Sequence, residues 1–352
     1  MDRREVTDRV LACVRGRGFA LAGVAPVRES AWGAELGAWL DAGKHGEMGF
    51  MDVDVEVRTE PSRVLDGCRA FVVVGDVYAE RGDEGAAKPG EGRVARYAQG
   101  RNYHEVMKRR LHACADELRL EFPGAEFRTC VDTVPILERE IAVLAGLGWQ
   151  AKNTMVIHPK LGSYFVLGVV ATTLELVAAG EEDRVADACG TCTKCIEACP
   201  TGAITPYSVD GSKCVSYLTI EHRGEISPAL RAGMGEWVFG CDVCQEVCPH
   251  NSAREEVPAQ RHPAYEPRVR GLGLLEVLGW DEGQRRRAFE SSAMKRATLA
   301  MMKRNAVIAA GNVLRGREDA ALLARLREIA GDAGESEMVR QTAAAVVGEL
   351  GG

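Results

Sequence analysis

Over roughly the first 180 residues, segments with an apolar side chain every three or four positions alternate with short unbroken apolar runs. That alternation marks helices packed on buried strands. Residues 8–18 and Arg101 to Phe122 carry the helical period, and Trp32 to Gly43 and Pro135 to Gly146 read as helices ending at glycine. Ala70-Phe-Val-Val-Val-Gly75 reads as a buried strand, Phe19 to Ala25 as a shorter one, and Ser163 to Leu176 contains at least one more. The N-terminal part is therefore expected to be α/β or α+β. Residues 180–187 form a charged linker into a Cys-rich segment, and Asn251 to Arg270 is polar, Pro-containing and expected to be irregular. From Glu290 the chain is Ala- and Leu-rich with helical periodicity, and Met302 to Leu314 is loosely repeated at Met338 to Leu350. Such spacing lies near that of helical solenoids and predicts a short HEAT-like pair, although two unrelated Ala-rich helices give the same pattern. The expected division is 1–180, 181–255 and 256–352.

The 352 residues include 44 Lys+Arg and 51 Asp+Glu, a formal net charge of −7, with 46% hydrophobic and 27% charged positions. These values fit a globular chain and argue against a disordered one or a coiled coil. The longest apolar candidate, Phe165 to Ala179, is broken by Thr172, Thr173 and Glu175, so no membrane span is expected. The first residues, Met1-Asp-Arg-Arg-Glu5, lack a secretory apolar region, which makes a cytoplasmic enzyme the expectation.

Cysteine usage sharpens the picture. Of 12 cysteines, Cys13, Cys68, Cys114 and Cys130 are scattered, while the other eight crowd between Cys189 and Cys248. In a reducing compartment such crowding indicates metal ligation rather than disulfides. Cys189-x2-Cys192-x2-Cys195-x3-Cys199-Pro200 is the bacterial ferredoxin spacing for a [4Fe–4S] cluster. Three thiolates on a tight loop wrap three corners of a cubane, and the fourth, displaced and followed by proline, points to a second cluster. The second run, Cys241-x2-Cys244-x3-Cys248-Pro249, lacks a first cysteine because Val238 stands in its place, and Cys214 is the natural substitute. The crossover rule then assigns Cys189, Cys192, Cys195 and Cys248 to one cluster and Cys199, Cys214, Cys241 and Cys244 to the other. Tetrahedral zinc on four thiolates is the competing reading, disfavoured by the repeated x3-Pro ending.

Two such clusters form an electron wire, which requires a redox site at one end. No GxGxxG follows a strand, so a built-in dinucleotide site is not expected. Gly82, Gly85, Gly90 and Gly92 form a loose loop without the Lys-Ser/Thr of a phosphate-binding loop. An Asp-x-His-x-x-Gly loop for cobalt ligation is also absent from the sequence.

Several stretches resemble epoxyqueuosine reductases, a family of cobalamin-dependent iron–sulfur enzymes acting on tRNA. They are His45-Gly-Glu-Met48, Ala95-Arg-Tyr-Ala98 with Tyr103-His104, Cys130-Val-Asp-Thr133 with Pro135 and Glu138-Arg139, and Gly148-Trp149 with Lys152-Asn-Thr154. Ile157-His-Pro159 with Leu161-Gly-Ser163, Tyr217 to Gly224, Trp237 to Cys241 and Gln245 to Pro249 continue the match, which spans about residues 10 to 250. Departures from the family pattern stand at Lys44, Asn102, Gln150, Ala151 and Thr173.

The resemblance implies an N-terminal cobalamin-binding domain, a ferredoxin-like bis-[4Fe–4S] domain and a HEAT-like helical tail. It implies that Asp132 is the general acid that protonates the departing epoxide oxygen and also lies against the corrin. Helix capping is the alternative for Asp132, since Pro135 follows closely. Arg58, Lys152, Asn153, Thr154 and Ser163 are implied contacts to cobalamin, for which surface-loop and turn chemistry are the plain alternatives. Arg139 is an implied donor to the modified base or a phosphate. His104, His158 and His222 were weighed as cobalt ligands, but the family binds cobalamin without a protein histidine on cobalt. Two basic runs offer tracks for a phosphate backbone despite the negative net charge. One holds Arg93, Arg96, Arg101, Lys108, Arg109 and Arg110, the other Arg285, Arg286, Arg287, Lys295, Arg296, Lys303 and Arg304.

The expected function is reduction of epoxyqueuosine to queuosine at the tRNA wobble position. Electrons would come from an external donor such as a flavodoxin or ferredoxin, through both clusters to cobalamin, in a monomeric protein. The rivals are another corrinoid iron–sulfur reductase, of the reductive dehalogenase kind, and a ferredoxin-type carrier with a helical interaction module.

Overall fold

In a computed structural model, residues 1–82, 87–253 and 261–351 are described; Gly85 and the expected boundary at 255/256 lie outside them. Seven strands matter for the site: β1 (Leu21–Pro26), β2 (Ala70–Val77), β3 (Glu91–Val94), β4 (Phe127–Cys130), β5 (Phe165–Thr172), β6 (Trp237–Phe239) and β7 (Gly271–Gly273). Seven helices do likewise: α1 (Arg3–Gly16), α2 (Tyr103–Glu121), α3 (Glu138–Leu144), α4 (Val215–Ile220), α5 (Leu299–Gly316), α6 (Ala320–Gly331) and α7 (Glu337–Gly351).

The N-terminal part is an antiparallel sheet in the order β1-β2-β5-β4 with helices on both faces, so it is α+β rather than a parallel α/β sheet. Every residue of β2 is buried, which explains its continuous apolar run. Alternate side chains serve opposite layers: Val72 and Val74 join Val10, Val14, Met107, Leu111 and Leu118 of α1 and α2. Phe71 and Val73 join Ile141 and Leu144 of α3. Helix α1 begins earlier than its apolar period because the Asp2 side chain caps it, accepting from Glu5 N at 2.8 Å. The helix expected from Pro135 is only α3; residues 131–137 instead form tight turns that lead the chain out of β4.

The second sheet, in the order β6-β3-β7, ties the cysteine segment to the tail. Val94, Val238, Phe239 and Leu272 form one core with Met302, Val307 and Ala310 of α5. The repeated sequence runs fall in α5 and α7, which pack face to face with α6 completing the tail. A Cβ on Gly311 of α5 would come within 2.4 Å of Val346 Cγ1 of α7, so glycine permits this close approach. Among the described residues no helix is long and apolar enough to cross a membrane.

Candidate functional site

Asp132 follows β4 directly and takes φ +57°, one of five non-glycine residues with positive φ among those described. A left-handed aspartate in a turn is costly unless its surroundings fix it. Three contacts do so. Its backbone N–H donates to Glu138 Oε1 at 2.8 Å, at the start of α3. Its Oδ2 lies 2.6 Å from His104 Nε2 on the first turn of α2, and the Tyr103 hydroxyl faces it as well. Next door, Lys108 Nζ reaches Thr133 Oγ1 at 3.4 Å. Partial burial raises the Asp132 carboxyl, but His104, Tyr103 and Arg139 more than offset this and hold it below the usual carboxylate range. Burial pushes Glu138 up to about 8, with the negative charge of Asp132 adding to the effect. Asp132 therefore sits as the charged member of a pair of acids, and Glu138 as the neutral one.

Arg139 is exposed and donates from Nη1 to Thr154 O and Oγ1 at 3.1 and 3.2 Å. Thr154, with φ +65°, sits on the turn between the two-residue strands Trp149–Gln150 and Val156–Ile157. Through Thr154, Arg139 ties the Asp132 loop to the turn that also carries Lys152 and Asn153.

The eight clustered cysteines are all free. Electrostatically the thiols fall into two groups. Cys195 is influenced by Cys189, Cys248 and Cys192, while Cys214, Cys241 and Cys244 are coupled to one another, with Cys199 acting on Cys214 and Cys241. Cys195 also acts on Cys244, across the two groups. The short helices Lys194–Glu197 and Val243–Glu246, one within each run and carrying Cys195 and Cys244, pack on each other. Among the described residues no three His, Cys, Asp or Glu side chains converge tightly enough to cage one metal ion. A cubane needs a looser arrangement, since each thiolate binds its own iron, whereas zinc draws four sulfurs to about 2.3 Å of one centre. Burial raises nearly all of these thiols, so bare thiolates here would be costly without iron to neutralise them.

The remaining expected contacts divide sharply. Lys152 Nζ donates to Gly190 O at 2.6 Å and Cys192 O at 3.1 Å, and Asn153 Nδ2 donates to Cys244 O at 3.2 Å. Ser163 is 1% exposed and its Oγ accepts from Gln245 Nε2 and Asn251 Nδ2, each at 2.9 Å. The polar ends of Lys152, Asn153 and Ser163 are thus engaged in bracing the cysteine loops. Arg58 fits a corrin better: Nη2 donates to Phe50 O at 2.9 Å, while its buried Nε has no acceptor among the described residues. A cleft of about 680 Å³ opens beside it, lined by Asp54, Val55, Glu56, Val57, Arg63 and Asp66, and does not include Asp132.

The tail run is also corrected. Arg304 is fully buried and donates to Leu218 O, His222 O, Gly224 O and Asn305 Oδ1 at 2.6–3.1 Å. Lys303 is buried against Glu335 at 2.6 Å, and Arg285 is tied to Lys295 O, Ala297 O and Glu282. Arg286, Arg287, Lys295 and Arg296 are the exposed members of this run, and Arg296 pairs with Glu221. Of the histidines weighed, His158 accepts from Lys160 N and Leu161 N, and burial depresses it to about 4. His222 lies 3.2 Å from Glu47, and His104 belongs to Asp132. Sequence reasoning pairs neither His104 nor Glu138 with Asp132, although both stand in the stretches that resemble the family.

Two family models match the chain. Residues 188–251 fit a "4Fe-4S double cluster binding domain", and residues 58–133 fit "Epoxyqueuosine reductase QueG, DUF1730". The epoxyqueuosine reductase of Alicycliphilus denitrificans is 36% identical over 351 residues, covering 96% of this chain and 96% of that protein. Those of Shewanella oneidensis and Escherichia coli K12 are 35% and 36% identical, over 92% and 89% of this chain and 83% and 82% of theirs. The chain belongs to the epoxyqueuosine reductase family. Among solved structures, an epoxyqueuosine reductase with an epoxyqueuosine-modified tRNA-Tyr stem loop superposes with a TM-score of 0.87 at 26% identity, covering 99% of this chain and 91% of that one. The Bacillus subtilis epoxyqueuosine reductase, with its catalytic aspartate loop swung out of the active site, gives 0.86 at 25% identity over 98% and 90%. Membership of the epoxyqueuosine reductases explains the double cluster segment and draws attention to Asp132, the aspartate on a strained loop.

Proposed function

We propose that this chain reduces epoxyqueuosine to queuosine at the wobble position of tRNA, with two [4Fe–4S] clusters and cobalamin as its cofactors. One observation carries the reading: the strained Asp132 loop is anchored by His104 and Glu138 and is joined by Arg139 to the 152–154 turn, whose Lys152 and Asn153 hold Cys192 O and Cys244 O. When bound, cobalamin supplies the electron pair for the epoxide and the clusters relay electrons singly. Arg58 is the residue with an unmet donor for a corrin amide. Asp132 delivers a proton to the departing oxygen, and Arg139 orients the substrate. The group Cys199, Cys214, Cys241 and Cys244 is the inner relay, and the group containing Cys189 the outer one, open to a flavodoxin- or ferredoxin-type donor. Residues 1–180, 181–255 and 256–352 serve as cofactor, cluster and tRNA-contacting parts of a cytoplasmic monomer. The HEAT-like tail would present Arg286 and Arg287 to the anticodon stem.

Anaerobic purification with cobalamin, followed by iron and corrin spectra and turnover of an epoxyqueuosine-containing anticodon stem-loop, tests the reading. Clusters, bound corrin and conversion to queuosine are expected. Clusters without corrin binding would point to a carrier, and corrin without RNA turnover to a different reductase.

A further inference from the structure

Turning an epoxide into an alkene breaks two C–O bonds, consumes two electrons and releases the oxygen as water, which takes up two protons. A single carboxyl holds one of them. The source of the second follows from the far side of His104, given the proposed reaction. Asn102 caps α2, its Oδ1 accepting from His104 N at 3.2 Å and facing His104 Nδ1 at 3.0 Å. Its Nδ2 donates to Glu105 Oε1 at 3.3 Å, and a carboxylate can only accept. The amide is therefore oriented with its oxygen towards the imidazole, and Nδ1 must carry a hydrogen. That leaves Nε2, 2.6 Å from Asp132 Oδ2, as the atom that exchanges a proton with the carboxylate.

We infer that His104, its tautomer set by Asn102, is a proton-relay residue that loads Asp132, so that both protons the oxygen takes up pass through this pair. Asp132, charged at rest, takes a proton on Oδ2 from the Nε2–H of the His104 imidazolium and gives it to the oxygen as one C–O bond breaks. The partly exposed imidazole, left neutral with its hydrogen on Nδ1, takes a second proton from solvent and loads Oδ2 again. Asp132 passes that proton on as the second C–O bond breaks and water leaves. The electron pair comes from the reduced cofactors of the proposed reaction. His104 remains a positioning residue, because only Asp132 meets the oxygen.

The surroundings suit this role. Tyr103 stacks on the imidazole at 4.0 Å between ring centroids, restricting its rotation. Arg139 on α3 and Arg296 before the tail supply positive charge to Asp132, whereas Glu138, held largely neutral, adds little negative charge near pH 7. Buried Tyr97 stays protonated, Lys108 lies one turn along α2, and Glu105 is shared between Asn102 and Lys295, 3.9 Å away.

Single-turnover assays of reduced, cobalamin-loaded enzyme on the modified stem-loop test the relay. His104→Gln keeps an N–H for Asp132 but cannot pass a proton; its rate should fall about 10- to 100-fold, with iron, corrin content and stem-loop binding unchanged. Rates in H2O/D2O mixtures should bend for the native enzyme, reporting two protons, and become linear for H104Q. Asn102→Asp puts a carboxylate on Nδ1, favours the imidazolium and should move the alkaline limb of the pH–rate profile up by about one unit. Native rate and native profile in both variants would overturn the relay while leaving the proposed reaction standing. If H104Q fails to assemble, an unmoved limb in N102D overturns it alone. A native enzyme that binds both cofactors but never converts the stem-loop would instead remove the reaction and the relay together.

Discussion

At the scale of single residues, Asp132 is distinguished by backbone as much as by charge. Asp132→Asn keeps the shape and removes the proton, so stem-loop turnover should fall by about 10²–10⁴-fold with iron and corrin content unchanged, measured on anaerobically loaded protein. Its neighbour gives a stability prediction. Glu138 keeps its proton up to about 8 against a usual 4.5. Between those values the folded chain binds a proton that the unfolded chain has released, so this group's contribution to stability declines as pH rises across the interval. Glu138→Gln retains the oxygen that accepts from Asp132 N and removes the ionisation. Urea midpoints across that pH range should fall less steeply for E138Q than for the native protein. Asp132 and Arg139 stand out in the sequence only through the family resemblance; alone, Asp132 before Pro135 reads as a helix cap. His104 could not be paired with Asp132 in advance, because the contact depends on how α2 lies across the sheet beside the end of β4. The bracing by Lys152 and Asn153 was not legible for a related reason: their partners are backbone carbonyls of the cysteine loops, which leave no side-chain signature.

At the scale of elements, the strongest sequence signals were those with a local cause. The unbroken apolar run of β2 follows from burial on both faces, and the cysteine spacing follows from the geometry of wrapping a cubane. The long helix α2 was legible from its period, with Asn102 as its cap. The helix from Pro135 was overestimated because the chain must turn tightly to present Asp132 before α3 can begin. Charge runs misled most. Arg304 looks like a surface base in sequence, yet it closes the last turn of α4 and the loop after it. Arg304→Ala should cost about 3 kcal/mol or more, read from urea denaturation, because several buried carbonyls lose their donor. Gly311→Val should cost about 1–3 kcal/mol through overpacking against Val346, visible as a lower melting temperature.

For the whole molecule, net charge and local charge diverge. Arg286→Ala with Arg287→Ala should leave the melting temperature within about 1 °C. The double variant should weaken stem-loop binding and lower the salt slope by about one to two phosphates, as titrations at several ionic strengths would show. Cys214→Ser should remove the inner cluster selectively, so iron falls from about eight to about four atoms per chain and turnover is lost. The outer cluster's EPR signal should survive.

The guanidinium of Arg304 and the amide of Asn305, which reaches Thr219 O and Val238 O at 2.9 and 3.0 Å, have a wider consequence. They fasten α5 to the residues immediately downstream of Cys214 and upstream of Cys241. Deleting the C-terminal helices would therefore not yield a slimmer catalyst with poorer RNA affinity. It would loosen the very peptide that grips the inner iron, so metal release and C-terminal melting should occur at one temperature. In evolution, too, this end of the chain cannot be exchanged like a cassette without rebuilding the cysteine segment beneath it.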